Sequence, residues 1–363
     1  MKKVKDIINL IKTNNYIRIA IELILGIGLF NVNNVFSVIF MFVISLEVVF
    51  ANIEDTLLIY IFLSFFDEVL IFEMLKGSIS RLLMIIIIIK LGIFIIKNKI
   101  KPNKYHIGIS IFFIISLVVG IITYKTISSE VAITMANIFV ILMFSMCINI
   151  KDDEEINKFI KKILCTIVFA ILGSILYGVC TNNFLVEYEG TKISYRFKGT
   201  NEPNFMSMYI SLGIIALLFL KDDIKYKWFV ILSFAIMFNA IIATVSMTGL
   251  IAVGIILLLY AIMQRKRIRY EIKDWIIIAL ITILMFGVIR IIPNIKFQNN
   301  IDNSKTENNI IIEINNENRG NEENSDGGII NRLRFLKQKV MEGDWDRISS
   351  GRLSIIKNFI SKA

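Results

Sequence analysis

Apolar residues run along this chain in long blocks, separated by short polar and basic stretches. The blocks predict eleven helical spans, at 16–31, 35–51, 56–75, 80–96, 106–123, 131–149, 163–180, 205–220, 228–244, 248–263 and 275–292. A helix needs roughly 20 apolar residues to cross the hydrocarbon of a bilayer. Runs of this length exclude the short alternating strands of a membrane barrel. The predicted fold class is an all-α, polytopic membrane helix bundle. Span three is the least regular, because it contains Asp67, Glu68 and Glu73. Either these acids face the bundle interior or the span ends near Phe66. Glu22, Glu47 and Lys90 raise the same question, since a charge at mid-bilayer is costly without a partner.

The pattern changes after Ile292. Residues 1–292 form the multi-span region, and 293–328, rich in Asn, Glu, Ser and Gly, read as a flexible external loop. From 329 to 363 helical periodicity returns. Ile329, Leu333, Leu336 and Val340 fall on one face, with Arg332, Arg334, Lys337 and Lys339 on the others. A second amphipathic helix starts at Ser349 or Ser350 and carries Leu353, Ile356 and Ile360 as its stripe. It reaches Ala363 unfinished, so the expectation is of a C-terminally truncated chain.

Charge gives the spans an orientation. Lysines and arginines collect in the first 18 residues, in 97–104, 151–162 and 221–227, and in 265–273. If all eleven spans are real, these segments share one side, and the positive-inside rule makes that side cytoplasmic. The N-terminus is then cytoplasmic and 181–204 and 293–363 are extracytoplasmic. The net charge of +10 is accounted for in this way. No aromatic-basic reading platform accompanies it, so nucleic acid is not an expected partner. The first 18 residues lack a small-residue cleavage site and read as a retained tail. Cys147, Cys165 and Cys180 lie in or at the ends of apolar segments and read as small buried residues.

Candidate chemistry is confined to three polar segments. The first is Arg196-Phe-Lys-Gly-Thr-Asn-Glu-Pro-Asn204. Arg196 offers a planar fork for phosphate oxygens and Lys198 a point charge. Gly199 lets backbone approach a ligand, and Asn204 is placed to cap the next helix, with Pro203 setting its entry. The alternative is a capped loop whose cations meet lipid headgroups. The second segment is Ser350-Gly351-Arg352, another cation at a helix start, which a plain helix cap also explains. The third is Ser246-Met-Thr-Gly-Leu250, whose hydroxyls either bond a sugar or form a tight turn between helices. There is no Walker loop, H-E-x-x-H or G-x-S-x-G motif, and His106 is the only histidine. His106 follows a run of lysines and reads as interfacial.

These three segments, in this order, resemble the O-antigen ligase and O-antigen polymerase superfamily of bacterial membrane glycosyltransferases. The resemblance covers roughly 160–363. It implies transfer or polymerisation of a glycan outside the bacterial cytoplasmic membrane. The donor would be an undecaprenyl-pyrophosphate-linked oligosaccharide, and the acceptor a second glycan or a lipid. It implies that Arg196 and Arg352 hold the pyrophosphate and stabilise the departing charge. Lys198, Gly199, Asn204, Ser246 and Gly351 would line the substrate. No metal or other cofactor is implied, because the leaving group is already activated. Other partners would be membrane lipids and a polysaccharide assembly complex. The family's ligases carry a histidine further along the external loop, which is not in this chain; Glu202 is the stand-in base. The alternatives are a lipid-linked glycan flippase or transporter, supported by Asp67, Glu68, Glu73 and Lys90, and an inactive truncated relic acting as a scaffold.

Overall fold

The computed structural model describes residues 15–30, 34–72, 77–124, 129–148, 152–189, 192–265 and 271–285. The tail before 15, Glu73 and everything from 286 onward, including 293–328, the amphipathic segment 329–363, Gly351 and Arg352, lie outside them.

The described residues form a helical bundle. Its first helices are α1 (Asn15–Phe30), α2 (Asn34–Phe50) and α3 (Ile53–Ser64). A short hairpin of β1 (Ile71–Phe72) and β2 (Gly77–Ser78) leads into α4 (Ile79–Lys97). Next come α5 (Lys104–Tyr124), α6 (Ser129–Cys147) and the long α7 (Asp153–Cys180). A second antiparallel hairpin, β3 (Phe184–Glu189) and β4 (Lys192–Phe197), precedes α8 (Pro203–Leu220). Then follow α9 (Lys227–Ala243), α10 (Met247–Met263) and α11 (271–285). Among the described residues α4, α7 and α8 are long and apolar enough to cross a membrane, and parts of α2, α6, α9 and α10 are apolar over shorter lengths. The outward faces are apolar too. Phe42, Phe112, Phe219 and Leu284 are largely exposed, which suits hydrocarbon and not water.

Helices α7 and α8 pack against each other at the centre. α1 and α3 lean on α7, while α9 and α10 lean on α8; α4 joins α2, α3 and α6 on one flank. The core contains Ile171, Ile175, Ile210, Ile214, Leu217 and Phe234.

The structure corrects span three. α3 ends at Ser64, and 65–69 form turns. A 12-residue helix is about 18 Å long, short of the ~30 Å hydrocarbon thickness. Asp67 and Glu68 therefore lie in a turn beyond the helix and not within a span. Asp67 accepts a short bond from the Ser80 hydroxyl and faces Arg81 at 3.6 Å. Span seven is also corrected, since α7 starts ten residues earlier, at Asp153. Asp152 is its N-cap, and Asp153, Glu154 and Glu155 sit in its first turn, where the helix dipole favours acids. The loop lysines 158, 161 and 162 are therefore helical.

Two ends of the bundle differ in chemistry. At one, Lys161 pairs with Asp223, Lys162 with Glu54 and Lys227 with Asp274, all at 2.8 Å. Lys221 meets Glu271 at 2.5 Å. We call this the basic end. The opposite end carries the β3–β4 hairpin and the turn after α3.

Lys90 answers the question its position in α4 raises. Its ammonium donates to the carbonyls of Val48, at 2.5 Å, and Ala51, and to the Thr56 hydroxyl at 2.8 Å. It therefore satisfies carbonyls at the C-terminus of α2, where a cation also complements the dipole. Glu22 instead faces Arg18 one turn earlier at 3.6 Å, on an exposed face. Lys90→Met should orphan the Val48 and Ala51 carbonyls and lower stability by roughly 1–3 kcal/mol. Lys90→Arg should recover part of this, as read by thermal unfolding in detergent.

Candidate functional site

The segment 196–204 is positioned by the hairpin before it. α7 ends at Cys180, and Asn182 turns the chain with a φ of 54°, a left-handed conformation that Asn tolerates. β3 and β4 then pair with Leu185 opposite Arg196 and Phe184 opposite Phe197. Asn183 ties the two ends of the hairpin together. Its carbonyl accepts from Lys198 N at 3.1 Å, and its side-chain amide donates to Gly199 O at 2.7 Å.

Gly199 is required on two counts. Its φ is +59°, where a side chain is strained. A Cβ there would lie 2.8 Å from Met206 Sδ, and one on Gly178 would lie 2.5 Å from Gly199 Cα. The segment thus wedges between α7 and α8 at backbone contact distance. Thr200 completes the wedge. Its hydroxyl donates to Phe65 O at 2.6 Å and makes a short bond with Ser174. Ser174 lies about six residues, roughly 9 Å, inside the end of α7, so the segment is sunk into the bundle.

Arg196 is buried and crosses three elements. Its Nε donates to Thr244 O at 3.0 Å, and its Nη2 to Asn204 Oδ1 at 3.0 Å. Thr244 is the C-cap of α9, so the guanidinium sits at the negative end of that helix. Asn204 does not cap α8 as expected. The N-cap is Glu202, with Pro203 in the first turn. The proline ring pre-sets helical φ and removes one donor that would otherwise need a partner, which leaves the Asn204 side chain for Arg196. Asn201 accepts from Glu202 N at 2.7 Å and donates to the Tyr209 hydroxyl at 3.3 Å.

The structure brings the third polar segment to the same place. Ser246 caps α10 and accepts from Gly249 N at 3.4 Å. Ser207 of α8 donates to Ser246 Oγ at 3.0 Å, and a Cβ on Gly249 would lie 2.5 Å from Ser207 Cβ. Thr244 and Val245, the latter at a φ of 52°, form the tight turn before it. Ser246 is buried, and its hydroxyl oxygen is the acceptor in both contacts. Arg196, Gly199, Asn204 and Ser246 are therefore brought together, with Thr244 and Ser207 as the links. Gly351 and Arg352 lie outside the described residues.

Lys198 faces a different neighbourhood. Lys198, Glu202, Asp67 and Glu68 form one electrostatic cluster. Partial burial pushes the Glu68 carboxyl above its ordinary range; Lys198 pulls it down, and Glu202 and Asp67 push it further up. Glu68 and Glu202 are both exposed. The sequence marked Glu68 only as an awkward acid in a span; its arrival beside Lys198 depends on the end of α3 docking on Thr200. His106 is elsewhere, near the start of α5, with its ring bonded to Ser145 Oγ at 3.0 Å. No family model, no curated protein and no solved structure matches this chain.

Arg196→Ala should strand the α9 carbonyl and cost on the order of 2 kcal/mol. Arg196→Lys should recover less than half of this, because an ammonium lacks the planar fork. Gly199→Ala should be at least as damaging, through both φ and the Met206 clash. Unfolding of the purified variants in detergent checks all three.

Proposed function

We propose that this chain is a multi-pass bacterial cytoplasmic-membrane protein that transfers or polymerises a glycan carried on undecaprenyl pyrophosphate, at the outer membrane face. One observation carries the reading. Two polar segments nearly fifty residues apart in sequence converge through Arg196 and Ser207, at the end of the bundle opposite its lysine-rich end. These are two of the three segments on which the resemblance to O-antigen ligases and polymerases rests. The positive-inside rule then supports an extracytoplasmic placement of 196–204, with eleven spans overall.

In this reading an acceptor hydroxyl attacks the anomeric carbon of the donor. The bond from that carbon to the pyrophosphate oxygen breaks, and the pyrophosphate leaves with the electron pair. Lys198 and Arg352 oppose the charge that develops on it. Arg196 holds Asn204 and the start of α8 in place and adds its charge from beneath. The hydroxyl proton passes to a carboxylate, for which Glu202 and Glu68 beside Lys198 are the candidates. Transport has less support. Of the charges on which it rests, Lys90 serves the end of α2, while Asp67 and Glu68 lie in the turn beyond α3.

Two measurements test this. The chain in lipid nanodiscs, given an undecaprenyl-pyrophosphate oligosaccharide as donor and acceptor, should lengthen the glycan and release one undecaprenyl pyrophosphate per transfer. Lys198→Ala should slow release by about a hundredfold; wild-type rates in that variant would overturn the assignment. In a Cys180→Ser background, because the native Cys180 is exposed at the same end, cysteine introduced at Lys198 should react with an impermeant maleimide from outside intact cells, and cysteine at Lys225 should react only after permeabilisation.

A further inference from the structure

The basic end holds a cleft of about 440 Å³ that the chemistry above does not use. This volume lies within the roughly 300–1,000 Å³ of small-molecule sites. One wall is a stripe of α9, with Lys227, Val230, Ile231 and Phe234 at helical spacing. The facing wall is a matching stripe of α11, with Glu271, Asp274, Trp275 and Ile278. Both helices start at this end and run into the bundle. Each wall is therefore charged at the mouth and apolar within.

The depth profile is that of a lipid lying along the bundle. Phe234 packs on Trp275 at 5.4 Å between ring centroids, which gives the apolar part an aromatic floor. Trp275 in the second turn of α11 stands where an interfacial aromatic belongs. The mouth carries both signs. Lys227 pairs with Asp274, and its side chain is 72% exposed. Lys221 pairs with Glu271, and both are held by the Tyr260 hydroxyl. Asp222 adds a third carboxylate to the lining. A purely anionic headgroup entering here must displace a carboxylate from a lysine and leave that carboxylate uncompensated. A bare ammonium must displace the lysines. A headgroup with a phosphate and an ammonium can insert and exchange partners without leaving either sign uncompensated.

We propose that the α9–α11 cleft is a specific site for one zwitterionic phospholipid. Its phosphate lies on Lys227, its ammonium on Asp274, and an acyl chain lies over the Phe234–Trp275 pair, against Val230 and Ile231. This rests on the bundle's membrane character and not on the proposed transfer reaction at the opposite end.

The test uses the full chain, delipidated in detergent and titrated with phosphatidylethanolamine or phosphatidylglycerol of matched acyl chains, with bound lipid counted by native mass spectrometry. One phosphatidylethanolamine should be retained per chain, at least tenfold more tightly than phosphatidylglycerol. Val230→Trp, which fills the cleft, should abolish retention. Lys227→Met should weaken it at least tenfold; its exposed side chain makes this variant decisive even if Val230→Trp fails to fold. Arg18→Ala, a distant exposed cation, should change nothing. Equal retention of the two lipids, or unchanged retention in Lys227→Met, overturns the proposal. Absence of any retained lipid also overturns it and leaves the cleft to a segment of the chain itself.

Discussion

A single guanidinium holds the candidate site together. Arg196 leaves β4, reaches the last carbonyl of α9 and the first turn of α8, and is buried where it does so. Any one of these contacts is ordinary. Their combination decides the geometry, because three separately folded elements must arrive in register for one planar fork to serve two of them. The Gly178–Gly199 approach is the matching steric condition. It brings the segment close enough to α7 for Thr200 to reach Ser174 and Phe65 O, and so it sets the depth at which Arg196 lies.

The same rule governs the rest of the bundle. In an apolar interior every polar group must find a partner within the protein. Lys90 supplies it for the end of α2, Asn183 for the hairpin exit, and Ser246 and Ser207 for the junction of α8 with α10. Several polar residues of the described segments are therefore cross-links between elements, while others, such as Ser45, Thr166 and Ser211, bond back to their own helix. This bears on the functional reading, because Arg196 and Ser246 have structural duties whether or not a substrate is bound. Lys198, Glu202 and Glu68 have fewer such duties and more exposure, which is why the chemistry is placed on them.

The asymmetry between the two ends matters as much. Ion pairs accumulate at the basic end, where α9, α10 and α11 meet, and the cleft there has a charged mouth and an apolar depth. At the other end Arg196 is held by hydrogen bonds, Asp67 faces Arg81, and Lys198 lies in an electrostatic cluster with Glu68 and Glu202. A membrane reads such a difference as orientation. The same difference separates the proposed lipid site from the segments proposed to handle the glycan.

Hydrophobic pattern alone was enough to read the helices as a membrane-capable bundle, and short polar breaks located most of their ends, although the acidic first turn at 153–155 was passed over. The hairpin at 184–197 was missed, although Val186 to Glu189 and Ile193 to Phe197 alternate around a glycine; the signal is short and stands among much longer apolar runs. Other features depend on distance in space. That α3 stops at Ser64 follows from where Phe65 and Thr200 meet, not from local propensity, because Phe65 and Phe66 would extend a helix as readily as end one. That Asn204 serves Arg196 and leaves the N-cap to Glu202 depends on a guanidinium eight residues away. That Glu68 joins Lys198 depends on a contact spanning more than a hundred residues. Periodicity records which face of an element is apolar. It carries no information about which polar group will be the only partner within reach once the helices have packed, and that was settled by tertiary structure alone.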